Sequence, residues 1–132
     1  MSTAPNPYSA YRQNGIMTAN PGELVVMLYD GCIKQVKLSE KHMLEKNWEK
    51  VNKHLQNAQD IIMGLIMGLD LQFSIARDLM ALYEYMLESL TRANTNKDTS
   101  ELTGILEMLT ELRSAWDQAR RISRIAAPEL EY

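Results

Sequence analysis

Apolar residues recur along this chain in alternating steps of three and four, and clusters of turn-forming residues break the pattern three times. Steps of that size place side chains on one face of an α-helix, and no run alternates apolar and polar positions as a half-buried strand would. The first segment opens at Asn20-Pro21-Gly22-Glu23. Asn20 suits an N-cap, Pro21 the first helical position, and Glu23 the place from which an acid reaches back to the cap. The spacing predicts a helix to about Leu44, with Val25, Leu28, Cys32, Val36 and Met43 on one stripe and Leu24 and Met27 on a second face beside it. A second helix is predicted from about Asn47 to Leu69, on Val51, Leu55, Ala58, Ile62, Leu65 and Leu69. A third is predicted from about Ser74 to Asn94, on Ile75, Leu79, Leu82, Met86 and Leu90, widened by Tyr83 and Leu87. The fourth is capped by Asp98, with Glu101 completing a capping box, and carries Leu102, Ile105, Leu109, Leu112, Trp116 and Ala119. Arg120, Arg121 and Arg124 stand near its end, where cations suit the helix dipole, and Pro128 closes it.

Seams of this kind pack at shallow angles, and short connections make consecutive helices antiparallel. The expected fold is all-α, an antiparallel up-down four-helix bundle over residues 20–125. Residues 1–19 are polar, hold Pro5, Pro7 and Gly15, and show no periodicity beyond Tyr8 and Tyr11. They are expected to form a mobile or loosely docked arm, and residues 126–132 a flexible tail.

Two blocks exceed what such a bundle needs. Leu24–Tyr29 (LVVMLY) and Ile61–Leu69 (IIMGLIMGL) are apolar around the whole helix rather than along a stripe. The seam takes Leu28, Ile62, Leu65 and Leu69. The surplus is Leu24, Met27, Met63, Ile66 and Met67. Gly64 and Gly68, four apart, share a face of the second helix, as a notch for close packing within the bundle or as a groove floor for an incoming helix. Gly31 is a third glycine within a predicted helix, and each should have a reason to offset its cost. With 9 Met among 132 residues, adaptable side chains are plentiful. The surplus implies either self-association or the binding of an apolar segment of another protein.

Charge and chemistry narrow the choice. Lys and Arg number 14 and Asp and Glu 17, a net charge of −3, which lacks the dense basic surface a nucleic-acid binder needs. The longest apolar run is about half a membrane span, so no membrane insertion is expected. The segment MSTAPNPYSAY lacks a basic start and an apolar core, so a cytoplasmic location is expected. Cys32 is the only cysteine and reads as a small buried residue. The two histidines, His42 and His54, fall on different helices among Lys and Glu and read as solvated surface residues. No Glu-x-x-His pair, Cys-x-x-Cys or phosphate loop occurs, so no metal, cofactor or catalytic residue is expected. Lys34, Lys37, Lys41, Lys46, Lys50 and Lys53 interleave with Glu40, Glu45 and Glu49. Pairs such as Lys41–Glu45 and Glu49–Lys53 would make this a solvated face, and a docking patch for an acidic partner is the lesser reading.

The motifs also resemble a family. MTANPGELVVMLYDG (Met17–Gly31), IIMGLIMGLD (Ile61–Asp70), LYEYMLESLTRAN (Leu82–Asn94) and Trp116 in ELRSAWDQ resemble, in order and spacing, the flagellin export chaperones of bacterial flagellar type III secretion. Glu84 stands where that family usually has Asp. The resemblance covers about residues 8–118. It implies a helical bundle that binds the C-terminal segment of flagellin, prevents premature polymerisation, and docks with its client at the export gate. It also implies that an N-terminal arm bearing Tyr8 and Tyr11 covers part of the bundle. The expected flagellin-binding residues are Leu24 and Met27 of the first helix and Met63, Gly64, Ile66, Met67 and Gly68 of the second. Leu79, Tyr83 and Met86 complete the set from the third. The rival is a structural homo-oligomer that pairs the same apolar surface with itself.

Overall fold

Four helices form where the periodicity put them: α1 Pro21–Leu44, α2 Trp48–Met67, α3 Ser74–Asn96 and α4 Ser100–Ala126. The structure is a computed structural model that describes residues 21–126. The expected arm, with Tyr8 and Tyr11, and the tail beyond Ala126 lie outside the described residues. α1 packs along α2 and α4, and α3 packs along the same two, so the helices close a ring with α1 and α3 on one diagonal. Side chains fix the antiparallel register. Arg113 Nε of α4 donates to Asp30 Oδ1 of α1 at 2.8 Å, and seven residues further on Arg120 lies 3.9 Å from Glu23, seven residues back. Between α2 and α3, Asn94 donates to Asn52 at 2.8 Å and Gln59 donates to Thr91 at 2.9 Å.

The turns explain where the helices stop. At the end of α1, Asn47 N–H donates to His42 O and Lys46 N–H to Met43 O, the paired bonds of a Schellman cap, with Lys46 left-handed at φ 60. Asn47 then accepts from Lys50 N–H at 3.3 Å and so starts α2. α3 ends the same way, with Lys97 at φ 55 and Asp98 N–H bonded to Ala93 O. Lysine occupies both positions that favour glycine. The capping box at α4 does not form. The helix begins at Ser100, whose N–H donates to Asp98 at 3.0 Å, and Glu101 instead receives Arg92 at 2.7 and 3.2 Å.

The core holds the stripes expected of α1, α2 and the first half of α4. α3 differs. Ile75 and Leu82, expected in the seam, are 62% and 38% exposed. The buried residues are Ala76, Leu79, Tyr83, Met86, Leu90 and Ala93, joined by Ser89. That series steps by three and four throughout, but its ends are alanines, which carry little hydrophobic signal. The helix is turned so that Tyr83 enters the centre. There its hydroxyl hydrogen-bonds to that of Tyr29 across the α1–α3 diagonal. Trp116 also hydrogen-bonds to Tyr29, and burial pushes the Tyr29 phenol up to about 12.

Candidate binding surface

The faces of α2 are set by its neighbours. His54 and Asn57 reach Gln35 of α1, and Cys32 Sγ approaches Ala58 O at 3.8 Å, so these positions face α1. Asn52 and Gln59 face α3. Counting 100° per residue from these anchors, Gly64 and Gly68 continue the α1 flank and Met63 and Ile66 the α3 flank. Met67 points outward between the two. The notch and the surplus Met63 and Ile66, expected together, therefore lie on opposite sides of one helix, with Met67 between them.

Exposure divides the ten expected contact residues further. Met63 is 46% and Met67 66% exposed, with Ile66, Met27 and Gly68 half-buried. Leu24, Gly64, Leu79, Tyr83 and Met86 are buried. Tyr83 and Met86 stand in the centre of the core, where Tyr83 meets Tyr29.

Sequence periodicity missed part of the exposed set. Of the nine large apolar side chains that are exposed among the described residues, seven lie within residues 63–85: Met63, Met67, Leu71, Phe73, Ile75, Leu82 and Tyr85. Met63, Met67, Leu71 and Phe73 concentrate apolar surface on α2 and the α2–α3 connection, whereas Ile75, Leu82 and Tyr85 stand on the flank of α3 turned from α2, where Tyr85 lines a cleft with Gly104, Ile105 and Met108 of α4. That connection is held in shape. Asp70 accepts from Gln72 N–H at 3.1 Å, and Arg77 donates to Leu71 O at 2.8 Å. The register of Asn52–Asn94 and Gln59–Thr91 sets Met63 and Ile66 level with half-buried Leu87 and Met80 on the facing flank of α3. The result is a shallow apolar strip; apolar side chains exposed singly would be normal, but their concentration points to a partner. Leu71 and Phe73 could have been found as apolar residues inside a turn, where packing makes no demand for them.

Two corrections concern the polar residues. His42 and His54 are not separate solvated side chains. Their rings stack across α1 and α2 with centroids 5.4 Å apart, and the His42 side chain is only 12% exposed. Neither Lys41–Glu45 nor Glu49–Lys53 closes as an ion pair, and Glu45 receives His42 Nδ1–H at 3.1 Å instead. Among the described residues no group of three or more His, Cys, Asp or Glu side chains is placed to hold a metal ion. No described helix is long and apolar enough to cross a membrane.

Comparison with known proteins gives one consistent family. The family model described as flagellar protein FliS matches residues 4–123. The chain is similar to the flagellar secretion chaperone FliS of Bacillus subtilis (strain 168), with 39% identity over 119 residues that cover 90% of each chain. It is also similar to the flagellar secretion chaperone FliS of Vibrio cholerae, 32% identical over 78% of this chain and 77% of that one. The protein of that name from Escherichia coli (strain K12) is 30% identical over 83% of this chain and 86% of its own length.

Proposed function

Since the chain belongs to the FliS family of flagellar secretion chaperones, we propose that it binds the C-terminal segment of flagellin in the cytoplasm and does no chemistry of its own. That segment, bound, cannot polymerise, and the complex is delivered to the flagellar export gate. The observation that carries this reading is the apolar strip formed by Met63, Ile66 and Met67 of α2, Leu71 and Phe73 of the α2–α3 connection, and half-buried Met80 and Leu87 of α3. An apolar helical client left in water assembles with itself, and a groove between helices gives it a temporary apolar partner. A client that is disordered until bound loses entropy on ordering, so it can cover a large surface and still be released.

Contact falls first on Met63, Ile66 and Met67, and the flexible methionine side chains among them tolerate an imperfect fit. Gly68, on the other flank of α2, and Met27 of α1 are half-buried and available to a client that wraps around the helix, with buried Gly64 and Leu24 beneath them. Leu79, Tyr83 and Met86 act from below, as the packed floor that keeps the strip rigid. Tyr8 and Tyr11 cover part of this surface until the client arrives.

Titration with a C-terminal flagellin peptide, followed by amide NMR, tests the assignment. Shifts should concentrate between about residues 59 and 87. Met67→Glu should weaken binding by at least about ten-fold, the loss expected for a charge set in an apolar contact, with helicity unchanged. Equal loss of affinity and helicity would make Met67 a core residue and sink its contact role. A tight dimer in light scattering that the peptide does not displace would favour self-pairing of the strip instead.

A further inference from the structure

The charged residues divide into two classes that the sequence does not distinguish. Arg92, Arg113, Arg120 and Arg121 all form ion pairs, and Arg77 donates to loop carbonyls. Lys97, from the α3–α4 turn, lies over the Trp48 ring at 5.0 Å. By contrast, among the described residues no ion pair uses Lys34, Lys41, Lys46, Lys50 or Lys53, and all five are exposed. These lysines stand along α1, the joining turn and α2. They border a groove whose floor is polar. Gln35 Oε1 accepts from His54 Nδ1–H at 2.8 Å and from Asn57 at 3.2 Å, and the His42 ring stacks on His54.

We propose that this groove receives an acidic segment of a partner protein, laid between the lysines of α1 and α2 above the stacked rings of His42 and His54. The site lies on a different flank from the apolar strip and does not depend on the flagellin reading. Charge complementarity identifies the occupant. Between residues 34 and 53 six lysines stand with three carboxylates, Glu40, Glu45 and Glu49; Glu40 lines the cleft towards α4 and Glu45 is engaged by His42. A face that sought a membrane would set a row of large apolar side chains beside its lysines, and in this half of α1 and α2 Leu44 is the single exposed one among the described residues. A groove with hydrogen-bonding groups on its floor suits an extended chain laid lengthwise.

Binding of an acidic segment should also tighten as pH falls. Burial, then His42, Lys53 and Lys50, hold the His54 imidazole below its ordinary value, so that ring resists protonation until an anion is present. α1 carries Glu23, Asp30 and Glu40, of which Glu23 and Asp30 face Arg120 and Arg113 of α4; α2 carries Glu49 and Asp60, and the turn carries Glu45 and Lys46. α3 and α4 pack on the opposite flanks. Lys97 is turned to Trp48, and Glu40, Glu107 and Glu111 line a separate cleft between α1 and α4. Linkage is reciprocal, so an anion that favours protonated His54 binds tighter to that form.

The test uses the full chain and a fluorescein-labelled, glutamate-rich peptide of about ten residues, long enough to follow the groove. Amide shifts should map to residues 34–57, and affinity should fall with added salt and rise from about pH 7.5 to 5.5 as histidine protonates. Lys50→Glu with Lys53→Glu should weaken binding by about ten-fold or more, whereas Arg121→Glu, on α4, should change it less than about two-fold. Should the double reversal unfold the bundle, Lys50→Gln with Lys53→Gln removes the charge more gently and should still weaken binding. His42→Gln with His54→Gln should bind at neutral pH and lose the pH dependence. Shifts that fall elsewhere, or lysine variants that bind as tightly as the parent, would overturn the proposal. So would binding to vesicles of about 30% phosphatidylserine without binding to the peptide.

Discussion

Met86 and Met67 lie on adjoining helices, Tyr83 and Tyr85 two residues apart, yet the bundle encloses the first of each pair and exposes the second. The centre of the bundle and its outer surface are made from the same side chains. What separates them is whether neighbouring helices close over each position. In the centre, Tyr83 has Tyr29 as a hydroxyl partner, and four helices converge. On the strip, Met63 and Met67 face outward from a helix whose inner face is already filled by Ile62 and Leu65. Hydrophobic character therefore says that a residue wants cover, and only the packing says whether this chain supplies it.

The comparison breaks most sharply on methionine. Met86→Ala should cost about 2–5 kcal/mol through lost burial and a cavity, whereas Met67→Ala should stay within about 0.5 kcal/mol. Chemical denaturation measures both, and similar losses would erase the distinction between floor and strip. Tyr29→Phe sharpens it next. Loss of the central hydroxyl contact should cost about 1 kcal/mol, whereas Tyr85→Phe should leave stability unchanged to within about 0.5 kcal/mol. Gly104 supplies a smaller effect of opposite sign. It lies within α4, and a Cβ built there meets nothing within 4 Å, so Gly104→Ala should raise stability by up to about 1 kcal/mol. A thermal scan that showed destabilisation would mean the position needs close approach.

The smallest effect is the pH slope from His54. Its folded imidazole sits below the ordinary value, so the unfolded chain binds more protons around and below pH 6.5. Stability from this group is present above that value and lost as pH falls through the folded one. The melting temperature should therefore decline less on acidification in His54→Gln than in the parent. Equal slopes would show that the stacked pair is not the cause.

Helix number and limits were legible because α1 and α2 carry apolar residues at every seam position, most of them large, and because Asn47 has a recognisable capping side chain. The phase of α3 was not. Ala76, Ser89 and Ala93 look neutral in sequence, and the bulkier Ile75 and Leu82 supply a rival stripe one position away. Met63, Ile66 and Met67 were legible as surplus because the seam of α2 is complete without them. Their separation from Gly64 and Gly68 was not, since it depends on which flank α1 occupies. The His42–His54 stack was hidden for a related reason. The two residues meet across a turn whose geometry is set by a left-handed lysine, Lys46, that no residue preference announces.

Cys32 lies fully buried between α1 and α2, and burial pushes its thiol up to about 12. While those helices stay together, the sulfur is neither ionised nor reachable, so it is inert to ordinary oxidants and alkylating reagents. Any modification of it becomes a record of separation between the first two helices. The protein thus carries its own clock for opening, read by mass spectrometry as the fraction of chains that have parted at least once.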